Sequence, residues 1–85
     1  TDYNLLVEIP YDPSQKPKQD YVLKVIKNFF SSYNVNKVEI DDGIKLLIVL
    51  EISSDEIEKI SEFESAIKSE YNNSKISYFE NRILT

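Results

Sequence analysis

The chain has 85 residues and a formal net charge of −5, and this length predicts a single domain over residues 1–85. It contains no cysteine and no histidine, which excludes disulfides, thiolate metal sites and the commonest general base, and its negative charge disfavours nucleic acid as a partner. No apolar run approaches the roughly 20 residues of a membrane span, so we expect a soluble protein of the cytoplasm.

The first part of the chain predicts a strand followed by a helix. Residues 3–9 place apolar side chains at every second position, which is typical of a strand with one buried face. Pro10 ends this strand, and the nearby prolines predict a loop over residues 11–16. Apolar side chains then recur at helical spacing from Val22 to Tyr33, which predicts an amphipathic helix over residues 18–33.

Two further strands are predicted over residues 35–40 and 44–52, joined by a hairpin turn at residues 41–43. The second of them is apolar on both faces. Because side chains alternate along a strand, one of its rows would face helices and the other would not.

The length of the turn decides which face Val38 and Ile40 share. A three-residue turn with Gly43 in the left-handed conformation puts them with Leu46, whereas a two-residue turn puts them with Leu47. We favour the three-residue turn, because it collects the larger apolar set against the helices.

The last part of the chain predicts a second helix and a final strand. Ser53 and Glu56 have the spacing of a capping box, in which both side chains bind amides at a helix start. Apolar residues recur at helical spacing up to Tyr71, and residues 76–84 form a weaker strand, expected at a sheet edge. The glutamates of this helix are expected on its solvated face: Glu56, Glu58, Glu62, Glu64 and Glu70.

The element order β-α-β-β-α-β predicts an α+β, ferredoxin-like sandwich. Its four-stranded antiparallel sheet has the order 4-1-3-2, with two helices on one face. The helix-free face would then carry Leu47 and Val49 between Lys45 and Glu51, with Leu6 as a neighbour. We therefore expect the chain to be at least a dimer whose contact uses this face, with these five residues, or an edge of the sheet.

The sequence offers little chemistry. Asp41 and Asp42 could bind a divalent cation, but adjacent carboxylates without further oxygen ligands are more typical of a solvated turn. RNA-recognition domains share the predicted topology, yet they carry aromatic rings where this chain has Leu47 and Val49. A glycine-rich phosphate loop is excluded, since the chain contains one glycine. We predict no catalytic, cofactor-binding or metal-binding residue.

Three segments resemble the PurS-type small subunit of phosphoribosylformylglycinamidine synthase. Residues 16–19 keep the proline of the family's Asp-Pro-x-Gly entry to the first helix. After that helix, Val-Asn-Lys-Val-Glu-Ile at residues 35–40 is similar to the family's Val-x-x-Val-x-Ile strand, and Gly43 and the apolar strand follow. In residues 71–80 an asparagine leads through an isoleucine to an aromatic strand, as at the family's end.

The resemblance implies a non-catalytic subunit in de novo purine biosynthesis. In that family a large synthetase subunit binds ATP, with magnesium, and formylglycinamide ribonucleotide, and a glutaminase subunit releases ammonia from glutamine. The small subunit forms dimers that bridge the two, so the complex is a ligase with glutamine as nitrogen donor. The alternatives are a stand-alone dimerisation or small-molecule effector-binding domain of the ferredoxin-like class, and a nucleotide-exchange or translation-factor domain of this topology.

Overall fold

The computed structural model describes residues 2–41 and 43–81. This part of the chain forms an α+β unit of four strands, two α-helices and one 3₁₀ helix. In chain order the elements are β1 (Asp2–Pro10), α1 (Gln19–Phe29), β2 (Tyr33–Asp41), β3 (Lys45–Ser53), the 3₁₀ helix (Ser54–Lys59), α2 (Ile60–Glu70) and β4 (Lys75–Glu80).

The strands form one sheet in the order β2-β3-β1-β4, and every neighbouring pair is antiparallel. This is the predicted order 4-1-3-2 read from the opposite edge, so the strand order is confirmed. β1 and β3 lie in the centre and pair along their whole length, from Asp2 opposite Ser53 to Pro10 opposite Lys45. β4 is an edge strand, as predicted, although its predicted continuation beyond residue 81 lies outside the described residues.

One face of the sheet forms the core together with both helices. The alternation in β1 and β3 puts their larger apolar rows on this face, and each helix adds its apolar stripe. Phe63 of α2 packs against Phe30, with 5.2 Å between the ring centroids. Burying each such side chain contributes roughly 1.5–3 kcal/mol. The core residues that are fully or almost fully buried include Leu5, Val7, Ile9, Val22, Ile26, Leu46, Ile48, Leu50, Ile52 and Ile67.

The hairpin has the predicted facing, although Asp41, predicted in the turn, is the last residue of β2 and pairs with Lys45. Val38 lies opposite Ile48 and Ile40 lies opposite Leu46, and Gly43 has a φ of +80°, in the left-handed region. Asp42 lies outside the described residues. The reason we gave for this facing is wrong, however, because neither Val38 nor Ile40 packs against the core that the helices cover. Val38 is 37% exposed and Ile40 is 61% exposed.

The first helix ends four residues earlier than predicted. Phe30 adopts an extended backbone conformation and buries its ring in the core, and Tyr33 begins β2 instead of completing a helical stripe. The reason is tertiary, since Tyr33 pairs with Ile52 at the far end of β3. Pairing of the nine-residue strand β2 with β3 therefore decides the conformation of Tyr33, although its spacing from the preceding apolar residues is helical.

The start of α1 is tied to the end of α2. Lys18, at the N-cap of α1, makes no side-chain capping hydrogen bond, but its backbone N–H donates to Tyr71 Oη at 3.0 Å. The Tyr71 side chain is buried, and its ring meets the Tyr21 ring edge-on at 6.0 Å. A side chain that follows the second helix thus satisfies a donor at the beginning of the first.

Candidate functional site

The helix-free face of the sheet brings the predicted interface residues together. Leu6 lies opposite Val49 across β1 and β3, and Leu47 is one position along the same row of β3. All three side chains are half-buried, and Lys45 and Glu51 flank them on the same face. We call Leu6, Leu47 and Val49 the apolar patch.

Two ion pairs border the apolar patch. Lys45 Nζ lies 3.1 Å from Glu8 Oε2, and Lys37 Nζ lies 2.9 Å from Glu39 Oε2. All four side chains are partly exposed, so each pair contributes at most about 1 kcal/mol to stability. They give the patch a rim of nearly balanced charge.

The opposite end of the face is polar and aromatic. Glu51 accepts hydrogen bonds from the side-chain amides of Asn36, at 2.7 Å, and Asn81, at 3.4 Å. Phe79 lies opposite Asn4 on this face and is 54% exposed. Sequence reasoning did not assign Phe79 to the face, although the alternation of β4 about β1 would have placed it there.

Glu56 is the one carboxylate that the structure places in a buried setting within residues 2–41 and 43–81. Its side chain is 4% exposed, and Oε1 accepts hydrogen bonds from the Ser31 N–H (2.9 Å), the Ser31 hydroxyl (2.8 Å) and the Ser32 N–H (2.8 Å). The Lys59 ammonium lies 2.6 Å from Oε2. Glu56 therefore holds the connection between α1 and β2 against the 3₁₀ helix.

Two predictions about Glu56 are wrong. It does not lie on a solvated face, and it does not form a capping box, because Ser53 makes no side-chain capping hydrogen bond. The connection after α1 offers three donors to one carboxylate oxygen, whereas a capping box offers one amide at the helix start. Glu56 therefore binds the three donors of Ser31 and Ser32 and not the single amide of a capping box.

The same contacts keep Glu56 ionised. The Lys59 ammonium, the Ser32 N–H and the Ser31 hydroxyl lower the pKa of Glu56 to about 2 from an ordinary value of 4.5. A carboxylate with so low a pKa is a poor proton acceptor near neutral pH. We therefore interpret Glu56 as structural.

Two other acidic residues, Asp12 and Asp41, lie in a loop and at the end of a strand. Asp12 accepts hydrogen bonds from the Ser14 N–H and hydroxyl, and these contacts shape the loop between β1 and α1. They also lower the pKa of Asp12. Asp41 ends β2 opposite Lys45. No group of three or more potential metal ligands occurs among residues 2–41 and 43–81.

Neither helix could cross a bilayer. α1 and α2 have 11 residues each, and a helix of that length spans about 16 Å of the roughly 30 Å hydrocarbon core. Among the described residues there is no helix long and apolar enough for a membrane span.

Comparison with known proteins defines the fold class and no more. No protein-family description matches the sequence, and no curated protein is similar to it. Among solved structures, the de novo designed protein Foldit4 is similar, with 14% identity, 95% of this chain and 97% of that chain covered, and a TM-score of 0.59. Formyltetrahydrofolate deformylase from Burkholderia mallei ATCC 23344 is similar over 94% of this chain, with 10% identity and a TM-score of 0.61.

These identities are too low to carry an activity from one protein to another. The chain spans 28% of the length of the deformylase, so the shared unit is only a part of that protein.

Proposed function

We propose that this chain is a non-catalytic PurS-type small subunit of phosphoribosylformylglycinamidine synthase, with a ferredoxin-like fold. The observation that carries the proposal is the helix-free face, where the half-buried Leu6, Leu47 and Val49 lie inside a charged rim. Such a face suits a protein contact better than a reaction, since it joins apolar surface to balanced charge.

The fold and the resembling segments support the same proposal. The strand order and the two helices agree with a ferredoxin-like arrangement. Residues 35–40 fall within β2, Gly43 lies in the hairpin, and residues 71–80 run from the end of α2 through β4. The segments that resemble the family thus fall on ordered elements of the structure.

A subunit of this kind acts by position. The large synthetase subunit would bind ATP and magnesium and carry out the ligase reaction, and this chain would bind no cofactor. By holding the glutaminase subunit against the synthetase, it would let released ammonia reach the second active site before it escapes to solvent, which is a proximity effect. The reaction with free ammonia does not need that bridge.

Reconstitution tests the proposal. The synthetase and glutaminase subunits together should form formylglycinamidine ribonucleotide from glutamine slowly, and addition of this chain should raise that rate. The rate with free ammonia should be the same with and without it, which controls for the activity of the synthetase. Equal glutamine-dependent rates in the presence and absence of the chain would refute the assignment.

Substitution of Asp41 by alanine should leave turnover in the reconstituted complex within about twofold of the original. Asp41 is exposed at the end of β2, and among the described residues it belongs to no group of three or more potential metal ligands. Steady-state rates with glutamine and with ammonia measure the effect. A thousandfold loss in a normally assembled complex would show that the residue is catalytic.

A second candidate is an effector-binding or dimerisation domain, and one cleft favours it. This cleft of about 300 Å³ lies where the first loop meets the end of α2, and Lys16, Lys18 and Glu70 are among its lining residues. Charges of both signs suit a zwitterion such as an amino acid. Calorimetric titration with free amino acids, together with co-purification of partner subunits, separates the two functions.

A further inference from the structure

The free edge of β2 is an exposed apolar surface that the helix-free face does not account for. Within residues 2–41 and 43–81, β2 pairs with β3 on one side and has no strand on its other side. Ile40 and Ile44, which are 61% and 63% exposed, are the two most exposed large apolar residues in the described part of the chain, and both lie at this edge or in its hairpin. Val38, also on the edge strand, is 37% exposed.

The charges along this edge are self-complementary. Lys37 and Glu39 lie on either side of Val38, point to the helix-free face, and have side chains that are 56% and 46% exposed. Suppose that β2 of a second copy lies antiparallel to this strand, related by a two-fold axis through Val38. Each Lys37 then lies opposite Glu39 of the other copy, and the two valines lie side by side on the helix side.

Neighbouring registers are worse. The two-fold axis is perpendicular to the sheet, so each side chain stays on its own face. The register can therefore change only by moving the axis from Val38 to another residue. Centring on Lys37 places that lysine opposite itself, and centring on Glu39 places that glutamate opposite itself. Centring on Ile40 brings Asp41 against Glu39. Only the Val38 register pairs opposite charges without a like-charged pair.

We propose that β2 pairs with β2 of a second copy around Val38, so that two four-stranded sheets become one of eight strands. The irregularity in the β2–β3 ladder between Val35 and Lys37 limits the regular segment at one end. A bulge and an edge lysine discourage indiscriminate pairing of edge strands, and here Lys37 also selects the register. From the sequence we expected a dimer contact on the helix-free face or on an edge of the sheet. The pairing around Val38 assigns that contact to the edge of β2.

This pairing would also enlarge the helix-free face. Four strands of up to nine residues make a face about 19 Å wide and about 30 Å long. The area of this flat face is smaller than the roughly 800 Å² that each partner buries in a typical stable interface. In the pair, the helices of both copies lie on one side and the two apolar patches share one continuous surface. The helix-free face is then left for a larger protein partner. The edge contact itself does not depend on which partner that is.

Charge exchange tests the pairing in the intact chain. Sedimentation equilibrium at micromolar concentration should show a dimer for the original chain, and Lys37→Glu and Glu39→Lys should each raise the dissociation constant at least about tenfold. An equimolar mixture of the two variants, and the double variant, should return to within about threefold of the original, since opposite charges again face each other. Lys24→Glu, on exposed helix surface, controls for net charge. Circular dichroism checks that each variant is folded.

Several results would overturn the proposal. These are a monomeric original chain at 100 μM, charge variants that associate as the original does, and a mixture that fails to recover. Leu47→Asp should leave the dimer intact. If it abolishes the dimer while the charge variants do not, the second copy binds the helix-free face instead and the edge proposal fails. Failure of the glutamine experiment with an intact edge dimer would remove the purine assignment alone.

Discussion

Leu47→Asp is expected to abolish the glutamine-dependent gain that this chain gives to the synthetase and glutaminase subunits, and to leave the fold intact. Leu47 lies in the middle of the helix-free face, opposite Glu8 on β1 and opposite Glu39 on β2. An aspartate there would complete a row of three carboxylates and place an unpaired charge inside an apolar contact. The cost is several kcal/mol, which corresponds to at least about a hundredfold weaker binding of the partner.

The experiment measures glutamine-dependent and ammonia-dependent rates of the reconstituted complex side by side. Asn28→Asp is a matched control, because it adds the same charge at an exposed position of α1, away from the helix-free face. The control should retain the full gain, and thermal unfolding of both isolated variants should verify that they fold. A complex that contains the Leu47 variant and keeps its glutamine-dependent rate would show that the helix-free face contacts no partner.

Glu56→Gln is expected to lower the free energy of unfolding by about 2–3 kcal/mol at neutral pH. Glutamine has nearly the same shape, but its neutral amide accepts weaker hydrogen bonds from Ser31 and Ser32 and leaves the Lys59 ammonium without its ion-pair partner. Urea titration of the original and the variant measures the difference. Glu62→Gln, at an exposed position of α2, should change stability by no more than about 0.5 kcal/mol.

The same pair of proteins should differ in pH dependence. The pKa of Glu56 is about 2 in the folded chain and 4.5 as its ordinary value. Because the folded value is the lower one, ionised Glu56 stabilises the fold fully above about pH 4.5, and this contribution is lost as the pH falls toward 2. The stability difference between the original and Glu56→Gln should therefore shrink over this window. A difference that stays constant from pH 7 to pH 2 would contradict the assigned contacts.

The strand order could be predicted because it follows from patterns that are local and geometric. The apolar rows of residues 3–9 and 44–52 mark the two strands that need neighbours on both sides, and they are the central β1 and β3. The facing of the hairpin was also predicted correctly, and Gly43 has the expected positive φ, but the reason given for the facing was wrong.

The errors arose where a distant partner prevailed over a local pattern. Ser53 and Glu56 have the spacing of a capping box, but Ser31 and Ser32, some 25 residues away in sequence, offer Glu56 more donors. Tyr33 continues a helical spacing but takes its place in a ladder with Ile52. No window of sequence around either residue contains the partner that decides its position.

The residues of the candidate site could be predicted from the sequence, but the partner that would bind them could not. Alternation alone places Leu6, Leu47 and Val49 on one face once the strand order is known. Whether a partner covers the face depends on a second surface, which the sequence of one chain does not specify. The exposure of Val38 and Ile40 on β2 was missed, because we expected both side chains to pack against the helices.

The hydrogen bond from the Lys18 N–H to Tyr71 Oη also bears on how the chain folds. α1 has 11 residues and no side-chain cap of its own, and helices shorter than about 12–15 residues are marginal in isolation. The Lys18 N–H donor at its start is therefore satisfied only when Tyr71, 53 residues further along the chain, has reached it. Folding should then be limited by the search for distant contacts, and α1 should mature late although it is made early in synthesis.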